Sequence, residues 1–423
     1  MAVVKPFCCI RPDIQAAPKV AALPYDVYNR KEACQAVEGN PLSFLNIDRA
    51  ETQFPDSVST YDDCVYDKAA ELLQKRIQDG TFLRDQEECY YLYRLTMNGR
   101  SQTGIVACSS IDDYLQGVIK KHENTREEKE LDRIRHVDVT NAQTGPIFLA
   151  YRTDPRLEEI VKAVLKTVPL YDFVSEDGIG HQVWRIGETE IISQIEEAFA
   201  DIPSTYIADG HHRAASAVKV GLKRRQQAAA KTAESGMQSA EDPKNAPHEF
   251  FLSVLFPADQ LFILPYNRVL KDLNGLTKEA FFQQIRKNFE VVCVGTTPYQ
   301  PKEKAVFGMY LDRTWYELRT KKHCLSEDPV KGLDVSILQD MLLAPVLGIG
   351  DPRTDSRIDF IGGIRGLKEL ERRVEEDMTV AFSMYPTSIE ELFQVADAEL
   401  LMPPKSTWFE PKLRSGLFLH ELS

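Results

Sequence analysis

The sequence predicts an α/β protein, or α+β where helices and strands segregate. Three observations carry that reading. Short strand-like runs alternate with helix-like segments over most of the chain, the pattern of layered helix-and-sheet domains. One stretch, Ser204 to Ala215, reads as strand, sharp polar turn and helix. A hydrophobic content of 43% with 27% charged residues over 423 positions suits a folded globular chain of two or three domains.

Residues 1–100 read as mixed α/β. Pro24-Tyr25-Asp26-Val27 and Asn40-Pro41-Leu42-Ser43-Phe44 are loops ordered by proline and asparagine. Tyr61 to Asp79 has helical periodicity, with Tyr61, Val65, Ala69, Leu72, Leu73 and Ile77 on one face and Gly80 as the stop. Tyr90 to Met97 predicts a strand, Asn98-Gly99 a tight hairpin turn and Gly104 to Cys108 the returning strand.

The stretch Ile119 to Arg133 is informative. Asn124 with Glu127, or Thr125 with Glu128, has capping-box spacing, so a helix is expected just after Glu123. That places His122 and Glu123 on the loop ahead of it. Glu127 to Asp132 reads mostly as a solvated charged helix face. Gly145 to Tyr151 predicts a strand and Pro155 to Thr167 a helix.

At Ser204 to Ala215, a β-prone run from Thr205 to Ala208 meets the turn Asp209-Gly210. An alanine- and lysine-rich helix then extends to about Ala233. Asp209, Gly210, His211, His212 and Arg213 therefore stand at a helix start, where unpaired N–H groups and the helix dipole favour phosphate. Gly210 lets a ligand approach the backbone, and Arg213 can grip two oxygens. Asp209 can cap the helix or hold a magnesium ion, and no other metal ligand is assigned. Read alone, the same residues also fit a plain turn with a polar histidine cap.

Residues 226–248 are rich in Ala, Gln, Lys, Glu and Ser, so the helix is expected to give way to a mobile linker. Phe250 to Phe256 and Leu261 to Leu264 predict strands. From 270 to 400, helices are expected at Lys278 to Asn288, Val335 to Leu347, Leu367 to Glu376 and Ile389 to Ala396. Strands are expected at Val291 to Val294, Val306 to Leu311, Trp315 to Arg319 and Thr379 to Met384, with Asp359 to Gly363 as a close-approach loop. In the tail, Met402 to Leu417, Lys405, Ser406 and Thr407 offer donors to a phosphate. A simple docking arm led by Trp408 and Phe409 is the other reading.

The net charge of -13 argues against a general nucleic-acid binder. No run approaches the ~18 apolar residues of a membrane span, and Met1 to Phe7 lacks a signal-peptide core. The eight cysteines form no C-x-x-C pair and read as reduced thiols, so a cytoplasmic protein is expected.

Taken together, Pro24 to Val27, Asn40 to Phe44, Lys121-His122-Glu123-x-Thr125, Asp132-Arg133, Ala208 to Arg213 and the Met402 to Gly416 tail resemble the domain of unknown function (DUF) 1015 family over nearly the whole chain. The resemblance implies a ParB/sulfiredoxin-like core and relatives that are free serine kinases. It implies Glu123 as the catalytic carboxylate beside His122, and Asp209, Gly210, His211 and Arg213 at the nucleotide phosphates, with His212 at the variable position. It divides the chain into an N-terminal α/β region (1–103), the core (104–233), a linker (234–248) and a C-terminal α/β region (249–423). The chain is longer than the minimal fold, so the amino-acid pocket stays unassigned.

The function this implies is phosphoryl transfer from ATP, or ADP, to the hydroxyl of free L-serine, giving O-phospho-L-serine, with Mg²⁺ carried by the nucleotide. The partners are then small molecules, with no nucleic acid and no membrane, and room for a homo-oligomer. A ParB-like nucleotide switch without turnover is the alternative. A metal-dependent hydrolase on Asp209, His211 and His212 is weaker, because adjacent histidines at a helix start point apart.

Overall fold

Apolar alternation and buried β-branched runs build a nine-stranded sheet in the first of two units. The computed structural model describes residues 1–125, 127–235 and 243–423. Residues 1–261 and 411–423 form the first unit and residues 262–410 the second. The strands of the large sheet are β1 (Val4–Lys5), β2 (Tyr90–Met97), β3 (Arg100–Ser110), β4 (Ile119–Lys120), β5 (Ile147–Tyr151), β6 (Tyr171–Val174), β7 (Gly180–Ile186), β8 (Thr205–Asp209) and β9 (Phe250–Pro257). Their order is β4-β8-β5-β9-β3-β2-β7-β6, with β1 beside β3. Asn98 and Gly99, both at positive φ, turn β2 into β3, as their side chains allow.

The longest helices described in this unit are α1 (Asp63–Gln78), α2 (Glu127–Thr140), α3 (Pro155–Val164), α4 (Thr189–Ala200) and α5 (His211–Ser235). Ile191, Ile192, Ile195 and Phe199 of α4 join Leu149, Tyr151, Ile207 and Leu255 of the strands in one hydrophobic core. Polar contacts fasten α2 to its neighbours. Tyr66 of α1 donates to Asp132 at 2.8 Å, and Ser216 of α5 donates to the Glu130 carbonyl at 3.1 Å. A smaller sheet pairs Cys9–Pro12 with Phe82–Arg84 and Leu419–Glu421, and Leu419–Glu421 with Ala142–Gln143.

The second unit holds a six-stranded antiparallel sheet. Its strands are β10 (Tyr266–Leu270), β11 (Phe289–Gly295), β12 (Val306–Leu311), β13 (Thr314–Thr320), β14 (Ile358–Gly362) and β15 (Val380–Ser383), in the order β11-β13-β12-β15-β10-β14. Its longer helices are α6 (Lys278–Asn288), α7 (Leu367–Glu376) and α8 (Ile389–Asp397). Trp315, fully buried, packs with Tyr310 and Leu370, and its indole donates to Glu371 at 2.8 Å.

Several elements depart from expectation. Residue 103 lies inside β3, which pairs on both sides within one sheet, so the chain does not divide at 103/104. The division falls at 261/262 and 410/411 instead. Of the expected linker, residues 236–242 lie outside the described residues. Pro243–Asn245 and Pro247–Glu249 are short 3-10 turns. The helix expected over Val335 to Leu347 is α-helical only over Asp334–Leu338, then widens over Gln339–Leu343, where the Gln339 side chain also donates to the Ile349 carbonyl. The loop expected at Asp359 to Gly363 is mostly strand β14. A Cβ on Gly362 would stand 2.9 Å from the Trp408 indole, so the close approach there is to the chain's own tryptophan.

Candidate functional site

Strands β4 and β8 run parallel, with Ile119 opposite Thr205 and Lys120 opposite Tyr206. Parallel strands release their chains at the same edge. Lys121-His122-Glu123 therefore emerges beside Asp209-Gly210-His211. The register of β8 against β5 shifts between Ile207 and Asp209, a bulge that re-aims the chain just before the turn.

The two histidines meet there. The rings of His122 and His211, 2% and 6% exposed, pack edge to face with centroids 4.6 Å apart. Burial lowers the His122 pKa to about 4, although its bond to the Ile207 carbonyl resists. Burial, with His122 alongside, pushes His211 well below its ordinary value. Both imidazoles are thus neutral at pH 7. His122 Nδ1 and His211 Nε2 have no hydrogen-bond partner among the described residues. Glu123 is different: its side chain is 45% exposed, and Oε2 lies 4.0 Å from His211 Nδ1. That is too long for a hydrogen bond and short enough for charge to be felt.

Asp209 anchors the turn. Its Oδ2 accepts from Arg213 Nη2 at 3.1 Å, and its Oδ1 faces Lys412 Nζ at 3.4 Å. Burial alone would raise its pKa, but Lys412 and Arg213 outweigh that and hold the carboxyl below its usual range. Gly210 has φ +93°, and a Cβ there would lie 3.0 Å from Arg213 Nε. The group that approaches the Gly210 backbone is therefore the chain's own guanidinium. Arg213 is largely buried, and its Nη1 donates to the Pro146 carbonyl. It braces the turn, while its Nε is without a partner among the described residues. The Ala214 N–H bonds back to the Gly210 carbonyl at 2.9 Å, so the N–H groups of the first α5 turn lie at the site. The His212 carbonyl accepts from Ser216 Oγ at 2.7 Å.

The loop carrying Glu123 is held from α5. Thr125 Oγ1 and Lys219 Nζ both donate to the Glu130 carboxylate. Residues 124 and 125 are not helical, and α2 is described from Glu127 rather than from just after Glu123. Glu130, held by the Thr125 and Lys219 donors and 6% exposed, is not part of the solvated face expected there. Arg126 lies outside the described residues.

The expected tail donors sit in the second unit. Ser406 Oγ donates to the Pro403 carbonyl at 2.6 Å, and the Ser406 carbonyl accepts from Thr387 at 2.9 Å. Lys405 Nζ stands 5.4 Å from the Tyr266 ring centroid, and Thr407 is half-buried. The tail residue that reaches Asp209 is Lys412. Sequence reasoning does not single out Lys412, Lys219 or Glu130. A lysine near a proline-rich chain end is the only signal for Lys412.

A magnesium site built by the protein is not supported by these residues. Both Asp209 oxygens face cations, and among the described residues no group of three or more His, Cys, Asp or Glu side chains could hold a metal ion. No described helix is long and apolar enough to cross a membrane.

Comparison with known proteins places the chain in a family. No curated protein matches the chain. A free serine kinase mutant in complex with AMP is similar over 74% of this chain and 92% of that one, at 13% identity and a TM-score of 0.35. SbnI with a C-terminal truncation from Staphylococcus aureus is similar over 73% and 85%, at 12% identity and 0.37. A conserved hypothetical protein from Pyrococcus furiosus is similar over 74% and 94%, at 13% identity and 0.33. The family description "Protein of unknown function (DUF1015)" matches residues 4–336, most of the chain, and the protein belongs to that family.

Proposed function

We propose that this protein is a small-molecule kinase that transfers a phosphoryl group from ATP, or ADP, to the hydroxyl of free L-serine. The observation that supports this most is the parallel pairing of β4 with β8. It sets an accessible carboxylate, Glu123, beside the N-terminus of a long helix.

The N–H groups of the first α5 turn and the ammonium of Lys412 are suited to nucleotide phosphates. Asp209 and Arg213 hold the turn that presents them. Phosphoryl transfer needs positioning and charge neutralisation more than covalent help. The serine oxygen forms a bond to the terminal phosphorus as the bond from that phosphorus to the bridging oxygen breaks. The nucleotide, shortened by one phosphate, leaves with the electron pair. The serine proton passes to Glu123. A neutral His211 suits this role, because an imidazolium 4.0 Å away would make Glu123 a weaker base. On this reading His122 supports Glu123 from the core. Magnesium arrives with the nucleotide.

The test is incubation with magnesium and ATP, or ADP, against a panel of free amino acids, with products read by mass spectrometry. O-phospho-L-serine and the shortened nucleotide in equal amounts are expected. Nucleotide retained with no phosphorylated amino acid would overturn the proposal in favour of a switch.

A further inference from the structure

The motifs Tyr25-Asp26-Val27 and Asp132-Arg133 take no part in the site described above. They meet elsewhere in the first unit, around a cavity of about 300 Å³. That volume lies at the small end of ligand pockets and suits a small metabolite better than a nucleotide.

The walls carry charges of both signs. The Arg133 guanidinium, 7% exposed, lies over the Tyr25 ring at 4.0 Å and meets Asp132 at 2.7 Å. Asp48, 4% exposed, accepts from Thr144 Oγ1 at 2.8 Å. Arg49 donates to the carbonyls of Tyr25 and Tyr28, at 3.1 and 2.9 Å, which fixes the loop that forms one side. A smaller gap of about 30 Å³ shares Tyr25, Asp48, Arg133 and His136 with this cavity and is also lined by Arg213 and Ser415. Only this smaller gap, not the cavity itself, is lined by a residue of the Asp209–Arg213 turn.

Burying such groups is costly unless they are paired. A singly charged ligand would meet repulsion from one set of walls. A molecule carrying both a carboxylate and an ammonium meets attraction from both. We infer that this cavity binds a small zwitterion of the α-amino-acid class, its carboxylate toward Arg133 and its ammonium toward Asp48. Resting on the kinase reading, the amino acid held there is the phosphoryl acceptor.

The test is calorimetric titration of the full chain with each of the twenty standard L-amino acids, then with ethanolamine and L-lactate. Ethanolamine lacks the carboxylate and L-lactate the ammonium. L-Serine should bind, and the two controls should bind at least about tenfold more weakly, the loss of one charge-assisted contact. Asp48→Asn and Arg133→Gln should each weaken amino-acid binding by about tenfold or more while ATP affinity holds. Removing a buried charge can unfold the chain, so Thr60→Trp serves as a second variant. Thr60 lines the cavity, and the bulk of tryptophan should block it without deleting a charge.

Lack of binding by any amino acid would overturn the inference. So would binding that survives both Asp48→Asn and Thr60→Trp, or L-lactate binding as well as L-serine. In that last set of outcomes, continued formation of O-phospho-L-serine would leave the kinase reading standing. Amino-acid binding that responds to these variants, without any phosphorylated product, would uphold the cavity and sink the kinase reading.

Discussion

Glu123 Oε2 stands 4.0 Å from His211 Nδ1, although the two residues belong to motifs far apart in the chain. The contact follows from β4, a strand of only two residues, lying parallel to β8. Everything proposed for the site depends on that short pairing, because it delivers a carboxylate to the start of α5.

Gly210 is the residue on which the turn depends most. At φ +93° an alanine would be strained, and its Cβ would press on Arg213 Nε at 3.0 Å. Gly210→Ala should cost about 1–3 kcal/mol of stability. It should also weaken ATP binding, because Arg213 would leave Asp209. Unchanged melting temperature and unchanged ATP affinity together would show that the turn tolerates a side chain.

Lys412 is expected to act as a phosphate-site cation. Lys412→Met should lower ATP affinity about tenfold to a hundredfold, and Lys412→Arg should recover part of it. Titration with a non-hydrolysable ATP analogue measures this. Equal affinity in all three proteins would leave Lys412 as only a partner of Asp209.

The Lys405 to Thr407 segment needs a different test from truncation. Deleting residues from Met402 onward would also remove the strand Leu419–Glu421 from its sheet and take the fully buried Leu417, Phe418 and Leu419 out of the core. The combined Lys405→Ala, Ser406→Ala and Thr407→Ala variant keeps that strand. If the donors of this segment serve the reaction, as the sequence suggests, turnover should fall about tenfold or more. Wild-type turnover would assign the segment to packing.

Long, periodic elements were legible in the sequence because their own side chains decide them. The sequence reading of α6, α7, β2 and β12 agrees with the structure end to end. The β6–β7 hairpin and α4 do not emerge from that reading, although Ile191, Ile195 and Phe199 carry the helical spacing that reveals α4. The residues of the candidate site are legible as types, since Asp-Gly at a strand end and His-Glu before a helix are local patterns. Their meeting is not. Two residues give β4 no period to detect, and Lys412 reaches Asp209 only through the fold.

Three buried histidines of the first unit and one buried carboxyl of the second should make stability depend on pH with opposite signs. In the first unit, burial lowers the pKa of His122 and His420 to about 4 and of His181 to about 3. Between those values and the ordinary ~6.5 the unfolded chain binds more protons, so stability is lost as pH falls from about 6.5 to 4. In the second unit, burial raises Asp334 to about 7, with its Oδ1 accepting from the Ala305 N–H. That group contributes stability below its unfolded value of ~3.9 and loses it as pH rises toward 7. Asp334→Asn should therefore raise the melting temperature at pH 8 and leave it nearly unchanged at pH 4. A variant that melts like wild type at pH 8 would show that Asp334 ionises without cost.

The sharpest test falls on Glu123. Its carboxylate is accessible, while the two imidazoles behind it are buried and neutral. A base held in this way can take a proton from an acceptor hydroxyl without an adjacent imidazolium weakening it. Glu123→Gln keeps the shape and removes the basicity. General-base assistance is worth about 10²–10⁴ in rate, so turnover should fall at least a hundredfold. ATP affinity should stay nearly constant, because the groups assigned to phosphate are the N–H groups of α5 and Lys412. The two measurements separate the possibilities. Turnover that survives would remove Glu123 from the chemistry, and ATP binding that collapses along with turnover would make Glu123 a structural prop of the helix start.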